Sequence, residues 1–347
     1  MRIENIEIGK ENKVFIIAEL SANHNQNFDL AVESIKAAKE CGADAIKLQT
    51  YTADTLTIDS DKDYFKISQQ TIWDGITLYK LYQQAYTPWE WQPKLKEVAE
   101  DLGLICFSTP FDKSAVDFLE KMNVPAYKIA SFEIVDIPLI EYAASKGKPV
   151  IISTGIASED EITDAVTACR QSGNNQIALL KCTSEYPALI EDANLKTIPA
   201  LAEKFGTIAG LSDHTLGIIV PVAAAAIGAQ IIEKHFIIDG SLGGPDAPFS
   251  LEPREFKKMV DEIRVVEKAL GRVTFELNDK ILKSRKFARS LFAVKEINAG
   301  ETFTEENVRS IRPSDGLKPV YLKNILGKKA AVKIEKGTPL NFDLIAK

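Results

Sequence analysis

Two histidines close two short apolar runs. His214 ends T-I-A-G-L-S-D-H (207–214), His235 lies at the end of A-Q-I-I-E-K-H-F (229–236), and the 347 residues hold a single further histidine, His24. Apolar runs closed by polar clusters read as buried parallel strands at their carboxyl ends. Two imidazoles on adjacent strand ends, with Asp213 and Glu233 nearby, could share one divalent metal. Lysines make a second pattern. Lys47 and Gln49 stand two apart in A-I-K-L-Q, on one side of a strand. Lys128 lies in A-Y-K-I-A, with Ser131 and Glu133 just beyond it. Other apolar runs end at Glu19, in S-T-P-F around Thr109, at Ser153 and at Ser212. Buried lysines are costly unless paired or used. Two of them among hydroxyls and backbone amides suit a phosphate or a carboxylate. Either could instead be a plain structural ion pair, or the Schiff-base nucleophile of a class I aldolase. The histidine pair argues against the aldolase, which has no need of a metal.

These residues need a scaffold that gathers strand ends. The strand candidates are 14–19, 45–49, 104–108, 126–130, 149–153, 177–182, 207–211 and 230–235. Amphipathic segments alternate with them at 28–41, 91–102, 112–122, 135–146, 158–172, 192–204 and 217–228, and a last helix covers 253–270. Eight strand–helix units predict an α/β (β/α)8 TIM barrel, whose active sites lie at the carboxyl ends of the strands. A doubly wound sheet is the alternative, but no Gly-rich dinucleotide fingerprint follows the first strand.

Two stretches break the alternation. About forty residues separate the second strand from the helix near 91–102, against a few in an ordinary βα loop. That insertion holds Trp73, Trp89 and Trp91 together with Tyr64, Phe65, Tyr79, Tyr82 and Tyr86. It could cover a sugar and exclude water, or pack onto the barrel or a second subunit. His24, after the first strand, faces either substrate or solvent. The second break is 272–290, a charged linker or swapped arm, so the barrel domain is read as 1–271. Residues 291–347 read as a compact β-rich module in which I-N-A-G-E-T-F and I-E-K-G-T-P-L look like related turn units. Its thin core should lean on a neighbouring surface.

Composition sets the outer bounds. With 45% hydrophobic and 26% charged residues and a net charge of −7, the chain reads as an ordinary globular protein, with no encouragement to bind nucleic acid or membrane. No apolar stretch reaches the length of a membrane span. Cys41, Cys106, Cys169 and Cys182 are too scattered for a redox or metal motif and read as reduced thiols of a cytoplasmic protein.

In order along the chain stand A-E-L-S-A-N-H-N, A-D-A-I-K-L-Q-T, F-S-T-P-F-D, V-P-A-Y-K-I-A-S-F-E, I-S-T-G and G-L-S-D-H-T. This ordered set resembles the sialic acid synthase family over essentially the whole chain, and residues 291–347 resemble its antifreeze-like (SAF) domain. Within the family, L-Q-T-Y-T-A-D-T-L-T and the W-E-W phrase are most similar to the pseudaminic branch. The resemblance implies condensation of phosphoenolpyruvate with an N-acetylated amino sugar, 2,4-diacetamido-2,4,6-trideoxy-L-altrose in that branch, giving a nine-carbon 2-keto acid and phosphate. A neuraminic or legionaminic acid synthase is the nearest alternative, and a non-catalytic sugar-binding protein the more distant one.

The resemblance also implies roles. Lys47, Gln49, Thr109, Lys128, Ser131, Ser153 and Ser212 would hold phosphoenolpyruvate. Glu19 and Glu133 would be the acid and base, with Lys47 and Lys128 beside them. Tyr186 and Asp246 would face the sugar. Arg312, in R-S-I-R-P, would reach the partner's barrel in a domain-swapped homodimer. His214 and His235 would hold a divalent metal, Mn²⁺ ahead of Mg²⁺ or Co²⁺. Ser184 replaces an asparagine with which the sialic acid enzymes contact their sugar, which points to a different acceptor.

Overall fold

A computed structural model describes residues 1–68 and 73–346; residues 69–72 of the aromatic insertion and residue 347 lie outside the description. The chain divides into two units, Met1–Gly271 and Arg272–Lys347.

The first unit opens with an antiparallel hairpin of β1 (Arg2–Ile3) and β2 (Ile6–Glu7). Eight parallel strands follow: β3 (Phe15–Glu19), β4 (Ala45–Thr50), β5 (Ile105–Pro110), β6 (Tyr127–Ile129), β7 (Val150–Ser153), β8 (Ile177–Cys182), β9 (Ile208–Asp213) and β10 (Ile231–His235). They close in chain order, with β10 pairing back onto β3. Every strand expected from the apolar runs is present, and the structure is the TIM-type barrel expected.

The strands are buried on both faces, since one face lines the barrel axis and the other meets the helices. Helices begin where a side chain can take up free amides. Asn27 accepts from Leu30 N, and Ser158 and Glu161 form a reciprocal capping box. Gly210 shows how narrow the interior is: a Cβ there would stand 2.3 Å from the Ile231 carbonyl oxygen. One expected helix is broken. Residues 192–204 are split by Asn194, whose φ of 42° is left-handed, into a short 3-10 turn (Ile190–Ala193) and a helix (Thr197–Phe205). Asparagine tolerates that conformation better than other side chains do.

The insertion after β4 contains short helices at Ala53–Leu56 and Leu78–Ala85. His24 fastens its far end, and is neither substrate-facing nor exposed. The ring is fully buried; it accepts from Gln26 N at Nδ1 (3.1 Å), so Nε2 donates to Thr87 Oγ1 (3.0 Å). Trp91 packs edge-on against it at 5.8 Å.

The second unit has a core of its own, built around Leu291, Ile297, Phe303, Ile325, Ile334 and Leu340. Its β11 (Ser290–Ala293) and β12 (Val308–Ile311) pair antiparallel. The two related phrases are matched by pseudo-twofold hydrogen bonding. Ile297 and Ile334 exchange both backbone bonds (2.9 and 2.8 Å). Gly300 N donates to Ala330 O and Gly337 N to Ala293 O, each at 2.8 Å. Both glycines have positive φ, 79° and 90°, which explains glycine at the same place in each phrase. Residues 272–290 are not wholly irregular: Asp279–Arg285 is helical, capped by the Asn278 side chain.

Burial lowers the His24 pKa from 6.5 to about 4. Between those values the unfolded chain binds a proton that the native chain refuses, so stability falls as pH falls through 6.5. Taking the protein from pH 7 to 4.5 should cost about 2–3 kcal/mol through this residue. In His24→Gln that part of the acid loss should vanish. Urea unfolding of both proteins at the two pH values checks this, and equal losses would refute it.

Candidate active site

Side chains alternate along a strand, so residues two apart share a face. At the carboxyl ends of the barrel strands this brings Glu19, Lys47, Gln49, Thr109, Lys128, Ser153, Ser212 and Glu233 together. Lys47 Nζ lies 2.6 Å from Glu19 Oε2 and 3.7 Å from Glu233 Oε1, and donates to Thr109 Oγ1 at 3.0 Å. Lys128 Nζ donates to Ser153 Oγ at 2.6 Å and to the Ile129 carbonyl at 3.0 Å, and stands 3.9 Å from Glu233 Oε1. Ser212 Oγ donates to Glu233 Oε1 at 3.3 Å. Gln49 donates to Glu19 Oε1 (3.0 Å) and Ser21 Oγ (2.9 Å). Glu233 is therefore a hub between two lysines. The strand pattern marked it only as a neighbour of His235, although standing two residues before that histidine puts it on the same face.

Burial dominates the electrostatics. It raises the Glu19 carboxyl to about 7, against the pull of Lys47. It raises Glu133 to about 7 as well, against Lys128. For Lys47, burial works to lower the pKa, but Glu19 and Glu233 together outweigh it and hold the ammonium above its ordinary value. Lys128 has less compensation, and burial leaves it below the ordinary lysine value.

Beside this array lies a notch of hydroxyls and an amide. Ser131 Oγ accepts from Ile156 N (3.1 Å) and from Ser184 Oγ (2.7 Å). Gly155 makes room for them: its Cβ would stand 2.2 Å from Ser184 Oγ and 2.7 Å from Ser131 Oγ. Ser184 thus helps close a polar notch between the ends of three strands.

The two histidines face the same mouth, their ring centroids 5.3 Å apart. His214 Nδ1 is 2.9 Å from the Thr183 carbonyl oxygen, so it carries a proton. Burial works to lower this pKa, but Cys182 and the Thr183 carbonyl outweigh it and hold the ring above the ordinary histidine value, so a cation at Nε2 would compete with a proton. Burial holds His235 well below the ordinary histidine value, hence neutral, and its buried Nδ1 has no hydrogen-bond partner. Asp246 Oδ2 lies 3.9 Å from that nitrogen and accepts from Ser21 Oγ. Among the described residues no group of three or more His, Cys, Asp or Glu forms a metal cage. Two imidazoles facing one mouth nevertheless fit a divalent cation completed by water or substrate oxygens. Neither acidic neighbour joins them as the sequence suggested. Asp213 is on the opposite face of β9, paired with Lys234 at 2.5 Å, and Glu233 is held between the lysines.

Aromatic rings wall the mouth. Tyr186 lies 4.4 Å from His214 and 5.2 Å from Phe249, which in turn lies 4.9 Å from His235. Trp73, from the insertion, lies tilted against Tyr186 at 5.6 Å and donates to the Pro245 carbonyl. Trp89 and Trp91 instead pack against Phe118 and Phe28. The insertion thus packs onto the barrel through two of its tryptophans and brings the third to the mouth. Arg312 follows β12 in the second unit, where its side chain is exposed.

Glu133 supplies a stability test. Its native pKa of about 7 exceeds the unfolded value of 4.5, so the unfolded chain gives up this proton first and stability falls as pH rises from 4.5 through 7. Glu133→Gln should be more stable than the native protein at pH 8 by about 1–3 kcal/mol, with no advantage at pH 4. Denaturant midpoints at both pH values decide this; a gain at pH 4 as large as at pH 8 would contradict it.

Residues 34–275 match the NeuB family and residues 288–346 match the SAF domain. The chain is 51% identical over 340 residues to the pseudaminic acid synthase of Campylobacter jejuni, covering 98% of each. It is also 51% identical to the pseudaminic acid synthase of Helicobacter pylori, covering 94% of this chain and 96% of that one. The crystal structure of the N-acetylneuraminic acid (sialic acid) synthetase of Leptospira borgpetersenii, in complex with citrate, superposes with a TM-score of 0.73. It is 36% identical, covering 82% of this chain and 94% of that one.

Proposed function

The chain belongs to the NeuB family, and from that premise we propose that it condenses phosphoenolpyruvate with 2,4-diacetamido-2,4,6-trideoxy-L-altrose to give pseudaminic acid and phosphate. The observation that carries this reading is the buried array Glu19–Lys47–Glu233–Lys128, which sets two ammonium groups and a carboxyl of nearly neutral pKa at one barrel mouth.

In the proposed reaction C3 of phosphoenolpyruvate bonds to the aldehyde carbon of the open-chain sugar. The aldehyde oxygen takes a proton, water adds at C2, and phosphate leaves. Lys47 and Lys128, with Ser131, Ser153, Ser212, Gln49 and Thr109, would bind the phosphate and carboxylate. Glu19 and Glu133 would move the protons; a pKa near 7 lets a carboxyl both donate and accept near neutral pH. Tyr186 and Asp246 would meet the sugar. Arg312 of a second copy would recognise an N-acyl group, which makes the proposed working unit a domain-swapped homodimer. Members of the family are generally metal-dependent. His214 and His235 would hold the cation, Mn²⁺ on our reading ahead of Mg²⁺ or Co²⁺, and when bound it would polarise an aldehyde oxygen or a water. No helix among the described residues is long and apolar enough to cross a membrane. The four cysteines stand as free, buried thiols, in keeping with a proposed cytoplasmic location.

The depressed pKa of Lys128 favours a Schiff-base aldolase. Phosphate release from phosphoenolpyruvate with Mn²⁺, each sugar offered separately, separates the readings. Turnover is expected with the diacetamido-trideoxy-altrose. Turnover only with N-acetylmannosamine or the legionaminic precursor would reassign the acceptor. Absence of phosphate release, with a borohydride-trapped imine at Lys128, would replace the synthase reading.

Trp73 is the ring that the insertion brings to this mouth. Trp73→Ala should raise KM for the sugar about 10-fold while leaving KM for phosphoenolpyruvate within about twofold. Steady-state kinetics with each substrate varied in turn checks this, and equal increases in both constants would contradict a sugar-facing role.

A further inference from the structure

Behind the imidazole pair, on the outer face of the same two strands, lies a charged cluster wholly removed from solvent. Lys234 precedes His235, and Asp213 and Thr215 flank His214. Lys234 and Asp213 are register partners across β10 and β9. Lys234 is 0% exposed, Asp213 3% and Thr215 1%. The Lys234 ammonium stands 2.5 Å from Asp213 Oδ2 and also donates to the Thr215 carbonyl. Asp213 Oδ1 accepts from Thr215 N at 3.2 Å and from Thr215 Oγ1 at 2.9 Å, so the pair is well satisfied.

A buried ion pair is a poor source of stability, because desolvation offsets most of the attraction and an apolar pair of similar volume often does as well or better. Its geometry supplies the better reason for it. Three side chains tie both residues flanking His214 to the residue immediately before His235. We propose that Lys234, Asp213 and Thr215 form a clasp that sets the spacing and orientation of the two imidazoles, and so the affinity of the mouth for a divalent cation. The clasp touches no reacting atom; its members are positioning residues. The inference rests on the reading of His214 and His235 as cation ligands.

Removing one charge alone would strand its partner in the interior, so the informative variant is the apolar double substitution Asp213→Leu/Lys234→Met in the full-length chain. Mn²⁺ binding without substrates, followed by electron paramagnetic resonance and calorimetry, is compared with the native chain and with His214→Ala/His235→Ala. Outer supports of metal-binding histidines commonly account for about 10- to 100-fold in affinity, and a loss of that size is expected with a near-native unfolding midpoint. Thr215→Val removes only the hydroxyl and keeps the charges paired; it should weaken Mn²⁺ by a smaller factor, and it decides the question if the double variant does not fold. Native Mn²⁺ affinity in the folded double variant, or in Thr215→Val when it alone folds, overturns the clasp. A native chain that binds no Mn²⁺, or binds it as well without the two histidines, overturns the ligand reading and the clasp with it.

Discussion

In a closed parallel barrel every strand residue has two directions available, toward the axis or toward the helices, and its neighbour must take the other. This constraint organises the molecule. It puts Ser212, Glu233 and His235 on the axial side and sends Asp213 and Lys234 outward. A one-residue slip of β10 against β9 would exchange the two sets, leaving a lysine where an imidazole stands. The register from Ile232↔Leu211 to Lys234↔Asp213 is thus as much a part of the site as any side chain.

Alternation also concentrates charge where solvent is scarce. Two lysines and two glutamates meet at the mouth, all nearly inaccessible. Such a cluster persists because each charge faces an opposite one and hydroxyls, an amide and a carbonyl take up further polar atoms, although the buried Glu233 Oε2 has no hydrogen-bond partner among the described residues. The compensation is uneven, and the unevenness is chemically useful. Glu19 and Glu133 are pushed toward neutrality while Lys47 is kept charged, so one mouth offers both fixed positive charge and groups able to exchange protons. Trp73, Tyr186 and Phe249 then cover the polar floor with apolar rings.

Much of the site was legible before the fold was known. Eight apolar runs with polar ends announced a barrel, and the two-residue spacing of Lys47 and Gln49 announced a shared face. The same parity rule, carried through to β9 and β10, would have separated Asp213 from the histidines. Other features had no local signal. The depth of His24 depends on Thr87, far along the chain, folding back onto it. Gly155 is needed only because Ser131 and Ser184 converge on it. The break at Asn194 follows from a backbone conformation that asparagine tolerates but does not dictate.

The sequence alone determined the periodicities, and with them the barrel, the two-unit organisation, the repeated turn phrase of the small unit and the residue types at each strand end. These are properties of neighbours along the chain, where propensity and alternation act. Only the tertiary structure decided which strand ends meet, which charges pair and which side chains lose their water. Glu233 became a hub, Asp213 and Lys234 a bracket outside the barrel, and Trp73 a wall because barrel closure brings together residues far apart in sequence. Electrostatics and burial respond to that distance in space, which no spacing along the chain encodes.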